Sequence, residues 1–226
     1  MYFLPAERLR LYRNFKSIEV NDFHGMIHFY EQHEDGIRAL DFYQYLDCTL
    51  AYTNALFDSA NHRKHLVMVD HLLELVIMQN VEEWDGEDLY HQLLFNKSAS
   101  FYHLEEYAKS ERILREIINI YPDDRLAAVY LNKVLLHQRP RWVYRSRTAT
   151  IVLFLAAIVL IALELFAAPK FFPEWLQPMR IAHNLLIALS VASLSLGEAG
   201  HTVRSWFETR RFVRQAVRKK NASFKF

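Results

Sequence analysis

Residues 149–168 read ATIVLFLAAIVLIALELFAA, with one charged side chain, Glu164, in the whole run. At about 1.5 Å per residue, a helix of this length reaches across the roughly 30 Å hydrocarbon core of a bilayer. A second apolar run, IAHNLLIALSVASLSLG at 181–197, follows after the short connection PKFFPEWLQPMR. Pro173 and Pro178 in that connection favour a turn over a continued helix. The pair predicts a transmembrane hairpin at 149–201, with spans at about 149–168 and 180–199.

Basic residues set the expected orientation. Arg139, Arg141, Arg145 and Arg147 stand in a juxtamembrane linker at 139–148, and Arg204, Arg210, Arg211, Arg214, Arg218, Lys219, Lys220 and Lys225 follow the second span. The connection between the spans holds only Lys170 and Arg180. By the positive-inside rule this predicts an integral membrane protein with both termini cytoplasmic. Trp142, Tyr144, Phe171, Phe172, Trp175, Trp206 and Phe207 fall where interfacial aromatic belts form.

The overall charge of +1 hides an asymmetry. Residues 1–138 hold thirteen Lys and Arg against twenty-two Asp and Glu, a net −9, whereas 139–226 hold fourteen against four, a net +10. An acidic domain is thus joined to a basic collar. In the tail, 202–226, Val203, Trp206, Phe207, Val213 and Val217 alternate with cations as in a basic amphipathic helix lying in the headgroup plane. Arg204, Arg211, Arg214, Arg218, Lys219 and Lys220 are its candidate contacts to a bilayer with anionic headgroups. Lipid is a simpler partner for them than nucleic acid. The stretch MYFLPAERLRLYRNF at 1–15 lacks the apolar region of a signal peptide, and the lone Cys48 suits a reducing compartment.

Residues 1–138 read as helix throughout, giving an all-α chain. Leu9, Tyr12, Phe15 and Ile18 recur at helical spacing, and Asp22 suits the cap of a short helix running to about His33. Gly36 punctuates before a segment through Phe57, and Leu66, Val69, Leu73, Val76 and Ile77 form one apolar stripe. Asp85 and Gly86 break the pattern within NVEEWDGEDLY at 80–90.

From His91 to Asp124 the spacing resembles a tetratricopeptide repeat. Leu94 stands at the first large apolar position, Ser98 at the usual glycine, Phe101 at the aromatic and Tyr107 at the interhelix tyrosine. Ser110 falls at the close-packing small residue, Leu114 and Ile117 lie in the second helix, and Pro122 closes the repeat. Ile117 departs from the usual small residue, and the preceding hairpin does not repeat at thirty-four. The resemblance implies a protein or peptide partner on the inner helices. Its ligand-facing positions fall on Gln92, Phe95, Ala99, Tyr102 and His103, and next on Leu126, Val129, Lys133, Leu136 and His137.

Enzyme signatures are sparse. No phosphate-cradling or nucleophile-elbow motif occurs among the five glycines. His24 and His28 share a helical face, but no third metal ligand follows at a recognised spacing. The Glu198–His201 pair has the E-x-x-H form of di-metal bundles without its required second copy. The expectation is therefore no catalytic residue, no cofactor and no metal, with a membrane metalloenzyme as the remote alternative.

Ionisable groups inside the spans are more informative, because in hydrocarbon they need partners. Glu164 and His183 fall at similar depth in an antiparallel hairpin. His183, Ser190, Gly197 and His201, with Glu198 beside them, make a polar, small-residue stripe suited to close helix contact or to a homo-oligomer. Two functions follow: a membrane-anchored adaptor or scaffold docking a protein at the cytoplasmic face, or an oligomeric effector or channel whose repeat domain senses a signal.

Overall fold

The computed structural model describes residues 5–166, 174 and 176–223. The connection residues Lys170, Phe171, Phe172, Pro173 and Trp175, and Lys225 of the tail, lie outside the described residues. The fold is all-α. Its helices are α1 (Pro5–Lys16), α2 (Phe23–Gln32), α3 (Glu34–Arg38), α4 (Phe42–Asp58), α5 (His62–Gln79), α6 (Leu89–His103), α7 (Tyr107–Ile120), α8 (Arg125–His137), α9 (Arg141–Phe166) and α10 (Leu176–Ser223). A ribbon of two short strands, β1 (Glu83–Trp84) and β2 (Glu87–Asp88), lies between α5 and α6. Contacts divide the chain into two units, one running to Val134 and resuming at Lys220, the other Leu135–Lys219. The boundary falls inside α8 rather than at residue 138, because the last turn of α8 bonds within the second unit, where the Leu136 carbonyl accepts from His201 Nε2 at 3.1 Å.

In the first unit, aspartates start the helices. Asp22, Asp41 and Asp88 each accept from a backbone N–H three residues on, and Asp124 accepts from Leu126 and Ala127, so the first turns of α2, α4, α6 and α8 each have an orphan donor satisfied. The helix ends share a second device. Ala60, Asn80 and Glu105 adopt left-handed backbone after α4, α5 and α6, and the N–H of the next residue returns to the carbonyl five earlier, as in a Schellman turn.

Several local expectations are revised. Gly36 does not punctuate: it is buried within α3, and the break falls at Asp41, the cap of α4. The α5 stripe is rotated, with His65, Val69, Leu72, Leu73 and Val76 buried and Ile77 63% exposed, because α5 packs against both α4 and α6. The 80–90 break is an ordered hairpin: Asp85 (φ 52°) and Gly86 (φ 81°) both take positive φ, as the tightest two-residue turn requires. A core of Phe15, Tyr30, Ile37, Leu40, Cys48, Tyr52 and Leu56 joins α1 to α4, with the Tyr30 and Tyr52 rings stacked at 4.0 Å.

In the second unit, α9 and α10 run antiparallel along one seam. Thr150 donates to the Ser190 carbonyl and Ser193 to the Ser146 carbonyl, both at 3.3 Å. Gly197 permits the approach, since a Cβ there would stand 2.9 Å from Ser146 Cβ. The residues read as a basic linker are helical from Arg141, because Pro140 precedes the helix rather than interrupting it. Pro178 lies in the first turn of α10, where no intrahelical N–H bond is lost. The tail is not a separate helix: α10 runs unbroken through 201–202 to Ser223, with no proline to interrupt it. Both α9 and α10 are long and apolar enough to cross a membrane, and in the most apolar 18-residue window of each only 6% of residues are buried.

The α6–α7 contact yields a test. Ser98 and Ser110 are both buried, with their hydroxyls 3.2 Å apart. Replacing Ser110 with Leu forces the helices apart and is expected to destabilise the chain by about 1–3 kcal/mol, read as a lower thermal midpoint of the full chain in detergent. An unchanged midpoint contradicts close packing here.

Candidate functional site

Of the α6 and α8 residues assigned to partner binding, those up to Lys133 lie in the first unit. His91 Nε2 lies 2.7 Å from Asp124 Oδ2, the Phe95 and Tyr130 rings meet edge-on at 5.0 Å, and Lys133 Nζ sits 4.8 Å over the Tyr102 ring. The contacts 91–124, 95–130 and 102–133 set the two helices side by side and parallel, at offsets of 33, 35 and 31 residues. Gln92, Phe95, Ala99 and Tyr102 are half-buried in this contact, while His103 and Lys133 are exposed. Leu126 and Val129 project from α8 at 64% and 62% exposure, an apolar pair left open to solvent. His137 is exposed on the last turn of α8 and belongs to the second unit, as does the half-buried Leu136. Leu114 of α7 is buried, while Phe101 is only half-buried and lies under the Lys109 ammonium, 5.2 Å away.

A histidine cluster beside this surface escaped the sequence reading. His65 and Ser100 are fully buried and hydrogen-bonded, Nδ1 to Oγ, at 2.7 Å, and His62 Nδ1 approaches the same hydroxyl at 3.3 Å. The His62 ring stacks on His103 at 4.6 Å, and Phe57 packs against all three imidazoles. Burial pushes His65 down to about 4, with the neighbouring His62 adding to the shift, and burial lowers His62 as well. The only sequence signal was H-x-x-H at 62–65, since the meeting with Ser100 and His103 is made by α5–α6 packing. His24 and His28 are exposed on α2, and among the described residues no three His, Cys, Asp or Glu are grouped to hold a metal ion.

The polar residues of the hairpin segregate into two sets. Near the turn end, Glu164 Oε2 lies 3.0 Å from His183 Nδ1, and Arg180 Nε lies 3.3 Å from Oε1. The His183 contact is close but not aligned as a hydrogen bond. Arg180, counted in the sequence as a loop cation, is thus a second partner of Glu164. At the other end Arg147 Nε donates to Glu198 Oε1 at 2.7 Å, while His201 turns to the Leu136 carbonyl and the Trp142 ring. Glu198 and His201 therefore do not converge as an E-x-x-H site. Ser190 is buried, its hydroxyl returned to the Ile187 carbonyl.

On the lower half of α10, Arg204, Arg211, Arg214, Arg218 and Lys219 are exposed and Lys220 is half-buried. Ser205, Thr209 and Ala216 are buried on the opposite side. The chain has no match among known protein families, curated proteins or solved structures.

Two measurements follow. Since unfolded histidine takes up a proton near pH 6.5 and folded His65 only near 4, its stabilisation is complete above pH 6.5 and is lost as pH falls toward 4. Denaturation of the full chain should show up to about 3 kcal/mol of that loss, abolished in His65→Asn; an acid slope unaltered by this substitution rules the cluster out. For the hairpin, Glu164→Gln and His183→Leu, alone and together, should give a coupling energy of about 0.5–3 kcal/mol in detergent melts. Additive effects mean that the two groups do not interact.

Proposed function

We propose that this chain is a membrane-anchored helical-repeat adaptor. Its hairpin crosses the bilayer with both termini cytoplasmic, and its first unit docks a protein or peptide on the α6–α8 surface. The observation that carries the reading is the contrast in what each unit leaves uncovered. The α9–α10 hairpin exposes nearly its whole apolar surface, the state of a helix pair whose solvent is lipid. The first unit closes its own core yet leaves Leu126 and Val129 open beside an aromatic and cationic surface.

The tetratricopeptide resemblance is supported by the parallel pairing of α6 with α8 at offsets near thirty-four and by the hydroxyl contact at Ser98 and Ser110. Upstream, the α4–α5 and α6–α7 connections use the same left-handed turn, at Ala60 and Glu105, which favours a stack of related hairpins. Twelve Lys and Arg flanking the spans against two between them support the orientation.

Tagged full chain, a form with residues 149–201 replaced by an unrelated hairpin, and a Leu126→Glu/Val129→Glu form should be purified in mild detergent and their co-purifying proteins compared. The adaptor reading expects the hairpin exchange to retain the partners and the double glutamate form to lose them. Retention by the glutamate form, or loss on exchanging the hairpin, contradicts it and turns attention to the spans as the effector.

A further inference from the structure

One outward face of α10 changes chemistry along its length. Leu185, Leu189, Leu196, Val203 and Phe207 recur on it at helical spacing, each more than half exposed. On the same face the next turns carry Arg210, Arg211, Arg214 and Arg218, opposite the buried Ser205, Thr209 and Ala216. The lipid-facing side of the second span thus passes into the cationic side of its extension without a break in the backbone.

The changeover is built around two aromatics. The Trp206 and Phe207 rings meet edge-on at 5.0 Å, and the Arg210 guanidinium stacks on Trp206, 3.7 Å from the ring centre. They line a groove of about 400 Å³ together with Arg211, Arg214 and, at its far end, Arg218. Among the described residues no carboxylate is paired with Arg204, Arg210 or Arg211. The stack fixes one guanidinium in advance, and a guanidinium fork matches the geometry of a phosphate.

Helix length selects which cations reach the surface. At about 1.5 Å per residue α10 is roughly 72 Å long, more than twice the hydrocarbon core. Counted from Glu198, held by Arg147 at the cytoplasmic end of the seam, Trp206 and Phe207 stand about 12–14 Å further along the axis and Arg218 about 30 Å. Helical side chains lean toward the N-terminus, which returns Arg204, Arg210 and Arg211 toward the headgroups and leaves Arg218 and Lys219 beyond them.

We propose that Arg210 and Arg211, backed by Trp206 and Phe207, form a defined site for the phosphate of an anionic phospholipid of the cytoplasmic leaflet. Arg218, at the far end of the same groove, and Lys219 lie beyond the headgroups and take no part. The inference rests on the membrane-anchor reading above and replaces a helix lying flat on the bilayer with an upright one that grips headgroups over a single stretch.

The test uses the full chain in zwitterionic mixed micelles titrated with short-chain phosphatidylglycerol, following the melting temperature. Wild type should show a saturable rise. Arg210→Gln/Arg211→Gln should shift the titration midpoint at least ten-fold, Arg210→Lys/Arg211→Lys by less, and Arg218→Gln/Lys219→Gln should leave it in place. Inorganic phosphate at equal concentration should have no effect. Equal losses in the 210/211 and 218/219 glutamine pairs overturn the site in favour of a diffuse basic collar, and an equal response to inorganic phosphate overturns the lipid assignment. Absence of any rise in wild type overturns the site alone, provided the chain resists alkaline carbonate extraction from membranes; release by carbonate defeats the anchor reading beneath it.

Discussion

Two helices whose outer surfaces are apolar must settle their polar groups between themselves, and the second unit is organised around that requirement. Arg147 answers Glu198, Arg180 and His183 answer Glu164, and the hydroxyls of Thr150 and Ser193 reach carbonyls of the facing helix. Gly197 against Ser146 allows these short side chains to span the gap at all. With the seam closed, the outward positions carry Ile151, Val152, Leu155, Leu185 and Leu189, each more than half exposed.

The first unit solves a different problem, stacking short helices around a core of its own. Here backbone groups at helix ends need partners, and aspartate caps at one end with left-handed turns at the other supply them. Connections this short force neighbouring helices antiparallel, and small hydroxyl residues at Ser98, Ser100 and Ser110 let them approach. Once α6 and α8 lie side by side, the aromatic residues between them leave the outer side of α8, at Leu126 and Val129, without a neighbour.

Much of this was legible because it is local or periodic. The apolar runs, the Asp22 cap, the serines of the α6–α7 seam and the matched depth of Glu164 and His183 can be read from spacing alone. What escaped depends on partners far away in the chain. His65 looks like any helical histidine until α6 places Ser100 against it, and Glu198 beside His201 suggests one site until α9 and α8 draw them apart. The Schellman turns were hidden because Ala60 and Glu105 hold a conformation usually signalled by glycine, stabilised by hydrogen bonds rather than residue type. The division of α10 at residue 201 failed differently: a change in side-chain chemistry resembled a boundary, but the backbone contains nothing that stops a helix.

That continuity bears on anchor against effector. A conducting path needs polar groups with a choice of partners and room for water between the helices. Along the α9–α10 seam Gly197 meets Ser146 in direct contact, and the carboxylates of Glu164 and Glu198 are each engaged by a cation of the facing helix. Among the described residues the seam of one chain therefore offers no such path, and a conducting role would require further copies. α10 is one unbroken helix, so the residues of this seam and the cationic residues beyond it share a single backbone.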